Sequence, residues 1–309
     1  MIKGFIALIG LGAIGSPLAH RLYCRYKDRF ILLSSEEIAR ELKKQPIYIN
    51  GSVFSPRIVT PEDKLDQPVS VVFVCVKNYS LHSALNTIAP LINSDTLILP
   101  LQNGVYSYDF FRNHLPENVI LEGYAQGPNT RLFENNIVYQ NPGEYHLGKN
   151  HKDYKHFADQ VYSLLKDADI PCELENDIRH SIWKKMMLNV AGNAITALTE
   201  LDYLMFSKSQ DAQVLCRSVM QEYALVAARE KIRITDDDIN DVMAYFIGYN
   251  RSKHTSMLED VINRRETENE FIAGYIYKLA QTHGIQTPFI YTLYSLMKIK
   301  EDVYLGKLN

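Results

Sequence analysis

The stretch "FIALIGLGAIGSPLAH" (5–20) constrains the fold more than any other part of this 309-residue chain. An apolar run passes directly into three glycines, Gly10, Gly12 and Gly15, and then into a helical pattern. A strand buried on both faces of a parallel sheet reads as such an unbroken run. Glycines placed just after it have a mechanism. The first makes a tight turn, the second admits a pyrophosphate against the backbone, and the third lets helix and strand pack. The turn Gly10, Leu11, Gly12, Ala13, Ile14 and Gly15 then offers backbone N–H groups to a phosphate at the helix N-terminus. The glycine pattern alone is weak, and a plain tight turn is its bland reading. Strand, motif and helix in that order favour a dinucleotide.

Similar runs recur at "FILLS" (30–34), "VSVVFVCV" (69–76) and "TLILPL" (96–101), with "SPLAHRLYCRYK" and "LHSALNTIAPLI" reading as helices between them. Strand, helix, strand in sequence implies right-handed βαβ units and a doubly wound sheet. From about Val119 to Leu147 the pattern shortens, and "NPGEYHLG" reads as a turn into an edge strand. After about Pro171 strand signals end. Helical periodicity follows in "SQDAQVLCRSVMQEYALVAAREK", "ITDDDINDVMAYFIGY", "ENEFIAGYIYKLAQTHG" and "PFIYTLYSLMKIKED", with Thr235 as an N-cap and Gly284 and Pro288 as a stop. The expectation is a dinucleotide-binding α/β domain over 1–172 and an all-helical substrate and catalytic domain over 173–309.

A formal charge of −3 and isolated basic pairs, Lys43-Lys44 and Arg264-Arg265, argue against nucleic acid or a membrane surface as partner. The four cysteines lie far apart without a CxxC, which fits a reducing, cytoplasmic setting. The start resembles a signal peptide only faintly, because the glycines break its apolar run. No apolar run approaches the roughly 20 residues that span a bilayer. His151 and His156 lack metal-ligand spacing and further ligands, so no metal is expected.

In an open parallel sheet, ligands bind beyond the carboxyl ends of the strands. Two strands end there in polar residues, Lys77 and the run Gln102-Asn103-Gly104. The Asn103 carboxamide suits a nicotinamide ribose or amide; the bland readings are a solvated loop start for Lys77 and a turn Asn before Gly for Asn103. The second strand ends at Ser34-Ser35 without the tip carboxylate that selects NAD. Glu36 and Glu37 follow, and Arg40 lies a little further on. The expectation leans to NADP, with NAD still open.

One apolar helical stretch, "WKKMMLNVAGNAITAL" (183–198), carries Lys185, Asn189 and Asn193 four apart, with Thr196 and Glu200 approximately continuing the line. Side chains so spaced share a face. A solvated face ordinarily carries Glu, Lys, Arg or Gln, whereas Asn is a poor helix former. A half-buried stripe facing a polar ligand is the preferred reading. A carbonyl that accepts a hydride builds charge on oxygen, and a desolvated lysine can supply the proton. Neutral carboxamides suit a substrate with carboxylate and hydroxyl groups.

"GLGAIG", "LQNG", "WKKMMLNVAGN" and "HTSMLEDVINRRETENEF" occur in the order seen in ketopantoate reductases (2-dehydropantoate 2-reductases). The chain resembles that family over nearly its whole length, including "GPNTRLFENNIVYQNPGEYHLG" and "HGIQTP". The resemblance implies a Rossmann-type doubly wound sheet followed by an all-α C-terminal domain like that of 6-phosphogluconate dehydrogenase. It implies NADPH-dependent reduction of 2-dehydropantoate to pantoate, a step of pantothenate and coenzyme A synthesis. Under it Lys185 is the general acid, and Asn103 positions the nicotinamide and the reacting carbonyl. Asn189, Asn193 and Ser256 bind the keto acid, Glu268 holds its hydroxyl, and Lys77 lies close to the cofactor and active site.

The residues alone give blander roles to two of these. Glu268 reads as a first-turn carboxylate within a Thr267–Glu270 capping box, and Ser256 as the N-cap of "MLEDVI". The chain departs from the family at three places: Lys253 and Ala273 stand where Asn is usual, and Ser34-Ser35 where an arginine is usual. The rival readings are an opine-type or other 2-keto acid dehydrogenase, and a cofactor-binding regulator without catalysis. The apolar helical segments serve either a core or a homodimer interface, and both stay open.

Overall fold

A computed structural model describes residues 2–133, 135–149, 155–249 and 251–308, so His151 lies outside the described residues. The chain groups into two units, Met1–Asn103 with Ser107–Ile178 and Gly104–Tyr106 with Arg179–Asn309.

The first unit contains strands β1 (Phe5–Ile9), β2 (Phe30–Leu33), β3 (Ile47–Ile49), β4 (Ser52–Phe54), β5 (Arg57–Val59), β6 (Val69–Val74), β7 (Leu97–Pro100) and β8 (Val119–Ile120). Six of them form a parallel sheet in the order β5-β2-β1-β6-β7-β8. Counted by its own members that is the 3-2-1-4-5-6 order of a doubly wound sheet, with the reversal beside β1. Every residue of β1 and β2 is buried, which is why their sequences are continuous rather than alternating. Helices α1 (Gly15–Tyr26), α2 (Glu36–Lys44), α3 (Leu81–Ile88) and α4 (Tyr106–His114) punctuate the strands.

The rest of this unit comprises β9 (Gly123–Gln126), β10 (Asn129–Phe133), β11 (Asn136–Asn141), β12 (Glu144–Gly148), α5 (Lys155–Asp167) and β13 (Cys172–Glu175). Two small sheets result, β10-β11-β3-β4 and β13-β12-β9. Here the structure departs from the sequence reading in three ways. Strands β3, β4 and β5 have three residues each, too few to display an alternation. The "NPGEYHLG" strand is central, since β12 pairs antiparallel with β9 and parallel with β13. Strands also continue past Pro171, because β13 returns through α5 to pair Cys172 with Tyr145.

Among the described residues, the regular elements of the second unit are all helices. It contains α6 (from Ile178 to Leu188), a π-turn (Asn189–Asn193), α7 (Ala194–Thr199), α8 (Tyr203–Lys208), α9 (Gln210–Arg229), α10 (Asp236–Gly248), α11 (Ser256–Ile262), α12 (Ala273–Thr282) and α13 (Pro288–Tyr304). Helix α9 supplies the centre of its core with Cys216, Val219, Met220, Tyr223 and Val226. Thr235 caps α10 in a complete capping box with Asp238. The buried Glu222 accepts the Phe289 and Ile290 N–H groups at 3.0 and 2.9 Å and so caps α13. The expected architecture is the one found: an α/β doubly wound sheet followed by an all-helical C-terminal part. Among the described residues no helix is long and apolar enough to cross a membrane, and no cluster of metal-binding side chains occurs.

Candidate functional site

In the first unit the glycine turn leaves β1 at the sheet's reversal point and enters α1. Gly10 has φ of +100°, and a Cβ there would sit 2.7 Å from the Val76 nitrogen. A Cβ on Gly15 would sit 1.9 Å from the Gly10 carbonyl oxygen. These two glycines are required by the protein's own packing. Gly12 is different, because a Cβ there would meet nothing nearer than 3.9 Å. Its open face fits the close approach of a pyrophosphate. Leu11 and Ile14 are half-buried and Ala13 exposed. The turn is braced from behind, with Thr130 Oγ1 donating to the Ala13 carbonyl (2.8 Å) and Tyr145 OH to that of Ile14 (3.0 Å).

At the β2 tip Ser34 is buried, and its hydroxyl has no hydrogen-bond partner among the described residues. Ser35 accepts from Ile38 N at 3.4 Å and is the N-cap of α2, whose first turn carries Glu36 and Glu37. Lys77 is half-buried and precedes a short 3-10 turn, Asn78–Ser80. Asn103, also half-buried, accepts through its carbonyl from Asn78 Nδ2 at 3.0 Å. That bond ties the ends of β6 and β7 together, a role the sequence did not announce for Asn78. Gln102 does not line the crevice as expected. It is buried and donates to the Val74 carbonyl at 3.1 Å. The open Gly12 and the unpartnered Ser34 hydroxyl fit a phosphate-bearing dinucleotide.

In the second unit the helix carrying Lys185, Asn189 and Asn193 is interrupted by the π-turn over Asn189–Asn193. Gly192 lies within it, and a Cβ there would be 1.8 Å from Cζ of Phe246. The ring of Phe246 therefore rests directly on the helix backbone. Thr196 Oγ1 lies 2.9 Å from the Gly192 carbonyl and 3.1 Å from that of Asn193, satisfying backbone that the widened turn exposes. Both Asn side chains are buried, and Asn193 Nδ2 donates to Asn189 Oδ1 at 3.2 Å. The Asn189 Nδ2 group has no partner among the described residues, so this pair presents a buried amide donor.

Lys185 is half-buried in the last turn of α6. Burial brings its pKa down to about 8 against the opposing pull of Glu268. Its neighbour Lys184 has the opposite fate. It pairs with Asp238 at 3.0 Å and Asp241 at 2.7 Å. Burial draws Lys184 down, but its bonds to those carboxylates outweigh this and hold it above the ordinary lysine value. Of two adjacent lysines, only Lys185 is tuned toward neutral proton transfer.

Glu268 is 6 % exposed and precedes a 3-10 turn, Asn269–Phe271. The expected Thr267–Glu270 capping box does not form. The Thr267 hydroxyl donates to Glu301 at 2.5 Å, while Glu270 accepts from Tyr294 OH at 2.5 Å. Ser256 is not the N-cap of α11 either. Thr255 holds that position and pairs its hydroxyl with Thr196 at 2.8 Å, leaving Ser256 exposed as the first helical residue. Glu200 leaves the polar stripe, because it ends α7 with φ of +61° and pairs with Lys300. Lys253 is exposed, with its ammonium 5.7 Å from the Tyr249 ring centroid, and Ala273 is buried. Thr255 and Glu301 escaped sequence reasoning, and Thr267 reads in the sequence as part of a capping box rather than as the partner of Glu301.

The ketopantoate reductase PanE/ApbA family matches residues 6–152, and the ketopantoate reductase PanE/ApbA C-terminal family matches residues 177–301. A 2-dehydropantoate 2-reductase of Yersinia pestis is 27 % identical over 264 residues, covering 84 % of this chain and 83 % of that protein. The fold is similar to D-mandelate dehydrogenase in complex with NADH, with a TM-score of 0.85 at 24 % identity over 97 % of this chain and 99 % of that one. It is also similar to a dimeric ketopantoate reductase from Staphylococcus aureus, with a TM-score of 0.78 at 23 % identity over 96 % and 99 %. Two family matches that together span most of the sequence, on this sheet and this helical unit, make the chain a member of the ketopantoate reductase family of oxidoreductases.

Proposed function

We propose that the protein reduces 2-dehydropantoate to pantoate with NADPH, supplying pantothenate and coenzyme A synthesis. Lys185 carries the reading: a half-buried lysine with its pKa near 8, coupled to the buried Glu268 and one turn from the buried Asn189–Asn193 pair. In this reading the first unit binds cofactor and the second binds substrate. The dinucleotide, when bound, supplies a hydride to the ketone carbon. Lys185 gives its proton to the ketone oxygen and stabilises the charge that develops there. Asn189 offers its free N–H₂ to the keto acid, Asn193 holds that carboxamide's orientation, and Ser256 adds a hydroxyl. Glu268 accepts from the substrate hydroxyl and fixes the approach angle. Asn103 and Lys77 serve the nicotinamide side, and the glycine turn with Ser34 and Ser35 takes the phosphates and ribose.

One observation favours a second reading. The α2 N-terminus next to Ser35 carries Glu36 and Glu37, and those charges repel a 2′-phosphate. Taken with the similar fold of the NADH-bound D-mandelate dehydrogenase, this supports NADH and a different 2-keto acid. The four unbridged cysteines support a cytoplasmic setting, and the dimeric relative makes a homodimer the assembly to test by light scattering.

The deciding experiment is loss of dinucleotide absorbance with ketopantoate or phenylglyoxylate, each run with NADPH and NADH. Ketopantoate with NADPH is expected to be fastest. Turnover confined to phenylglyoxylate or to NADH moves the assignment to the second reading. Dinucleotide binding without turnover of any keto acid favours a cofactor-binding regulator without catalysis.

A further inference from the structure

Two adjacent residues near the end of α13, Lys300 and Glu301, grip two different segments of the second unit. Lys300 Nζ donates to the Ala197 and Leu198 carbonyls at 2.9 and 3.3 Å and pairs with Glu200 at 3.3 Å. Both carbonyls lie in the last turn of α7, which continues α6 and the π-turn that carry Lys185, Asn189 and Asn193. Glu301 Oε2 accepts from the Thr267 N–H at 2.8 Å and from its hydroxyl at 2.5 Å. Thr267 is the residue immediately before Glu268. Neighbours on a helix project about 100° apart, so one turn can reach both segments.

Helix α13 is itself firmly seated. Ile290, Leu293 and Met297 are buried along its inner face, and Glu222 caps its start. The Glu268 turn meets this helix at two more points. Asn269 Nδ2 donates to the Tyr294 carbonyl at 3.0 Å, and Tyr304 OH donates to that of Arg265 at 2.8 Å. The Glu268 carbonyl is occupied as well, accepting from the Phe271 and Ile272 N–H groups at 3.0 Å each.

We infer that Lys300 and Glu301 are positioning residues, which fix the Lys185–Asn189–Asn193 helix and the Glu268 turn to one rigid rod and so set the spacing between the acid and the carboxylate. Neither residue touches a reacting atom; each acts through the segment it holds. The inference rests on the proposed roles of Lys185 and Glu268. The same bonds in a purely stabilising role would move the melting temperature and leave those two groups in register.

The test reads Lys185 directly. Its titration is followed by NMR of isotope-labelled lysine in the full-length protein, alongside keto acid kinetics and dinucleotide affinity. Glu268 is the charged group that the structure couples to Lys185, and it holds the lysine's pKa up. Glu301→Ala is expected to lower the Lys185 titration, as the carboxylate drifts away, and to lower kcat/KM at least about tenfold. Glu301→Gln keeps an acceptor oxygen and is expected to restore both. Lys300→Met is expected to raise KM through the Asn pair. Dinucleotide affinity stays at its wild-type value in each variant. Thr267→Val, which keeps the N–H leg but loses the hydroxyl leg and the acceptor of the Asn269 N–H (3.3 Å), covers the case in which Glu301→Ala does not fold. A Lys185 titration unmoved in Glu301→Ala or Thr267→Val overturns the inference, as does a kinetic loss that Glu301→Gln fails to restore. Because the titration needs no turnover, a wild-type protein that reduces no keto acid sinks the proposed function alone.

Discussion

At the scale of single residues, the sharpest test falls on Lys185. Lys185→Ala is expected to cut turnover by about 10²-fold or more while dinucleotide affinity survives, since only the proton donor is removed. Its pH dependence has a definite sign. Reduction needs the ammonium, so the rate should fall as pH rises through about 8. Oxidation of the hydroxy acid needs the free amine, so that rate should rise over the same window. A reduction rate indifferent to pH across that window removes Lys185 from the role of acid. The glycines allow a second separation. Gly15→Ala should destabilise the fold, because its Cβ meets backbone at 1.9 Å. Gly12→Ala has room and should melt like wild type while binding dinucleotide more weakly, as measured by calorimetric titration. Unchanged affinity in Gly12→Ala would mean that nothing approaches that face. The sequence exposes Lys185 because a charge in an apolar helix breaks a local pattern. Asn78, Thr255 and Glu301 break no such pattern. Their partners Asn103, Thr196 and Thr267 lie 25, 59 and 34 residues away, so no window along the chain contains both ends.

At the scale of elements, the four long parallel strands and the principal C-terminal helices are legible because burial sets their periodicity. The π-turn is not. Gly192 inside a helical pattern reads as a tolerated weakness, whereas the structure shows Phe246 lying on it. The reason is tertiary: a ring 54 residues further along the chain occupies the place of a side chain. Gly192→Ala should therefore cost about 1–3 kcal/mol of unfolding free energy, read by denaturant titration, the range of an overpacked core. Pairing it with Phe246→Leu should recover part of that loss, since the smaller side chain gives the methyl room. A Gly192→Ala protein as stable as wild type would mean that the ring moves freely aside. Strand β12 teaches the complementary point. Its sequence is that of an edge strand, and it becomes central only because α5 carries β13 back beside it.

At the scale of the whole molecule, the sheet unit and the helical unit each bury a core of their own. One is built around Ile6, Leu8, Phe73 and Leu99, the other around Met186, Met220, Tyr223 and Phe246. Two such cores make a single melting temperature an incomplete description. The proposed division of labour then has a calorimetric signature. A ligand that binds only the native first unit stabilises that unit by RT ln(1 + [L]/Kd), about 2.7 kcal/mol at a hundredfold excess over Kd. Dinucleotide alone should accordingly raise one transition and leave the other in place, while the keto acid alone should raise the transition that the dinucleotide left unmoved. NADPH and NADH at equal concentration then rank themselves by the size of the shift. The larger rise is expected for NADPH; a larger rise for NADH would mean that Glu36 and Glu37 govern the choice at the β2 tip. If the dinucleotide lifted both transitions equally, binding would not belong to the sheet unit alone, and the assignment of cofactor to one unit and substrate to the other would fall.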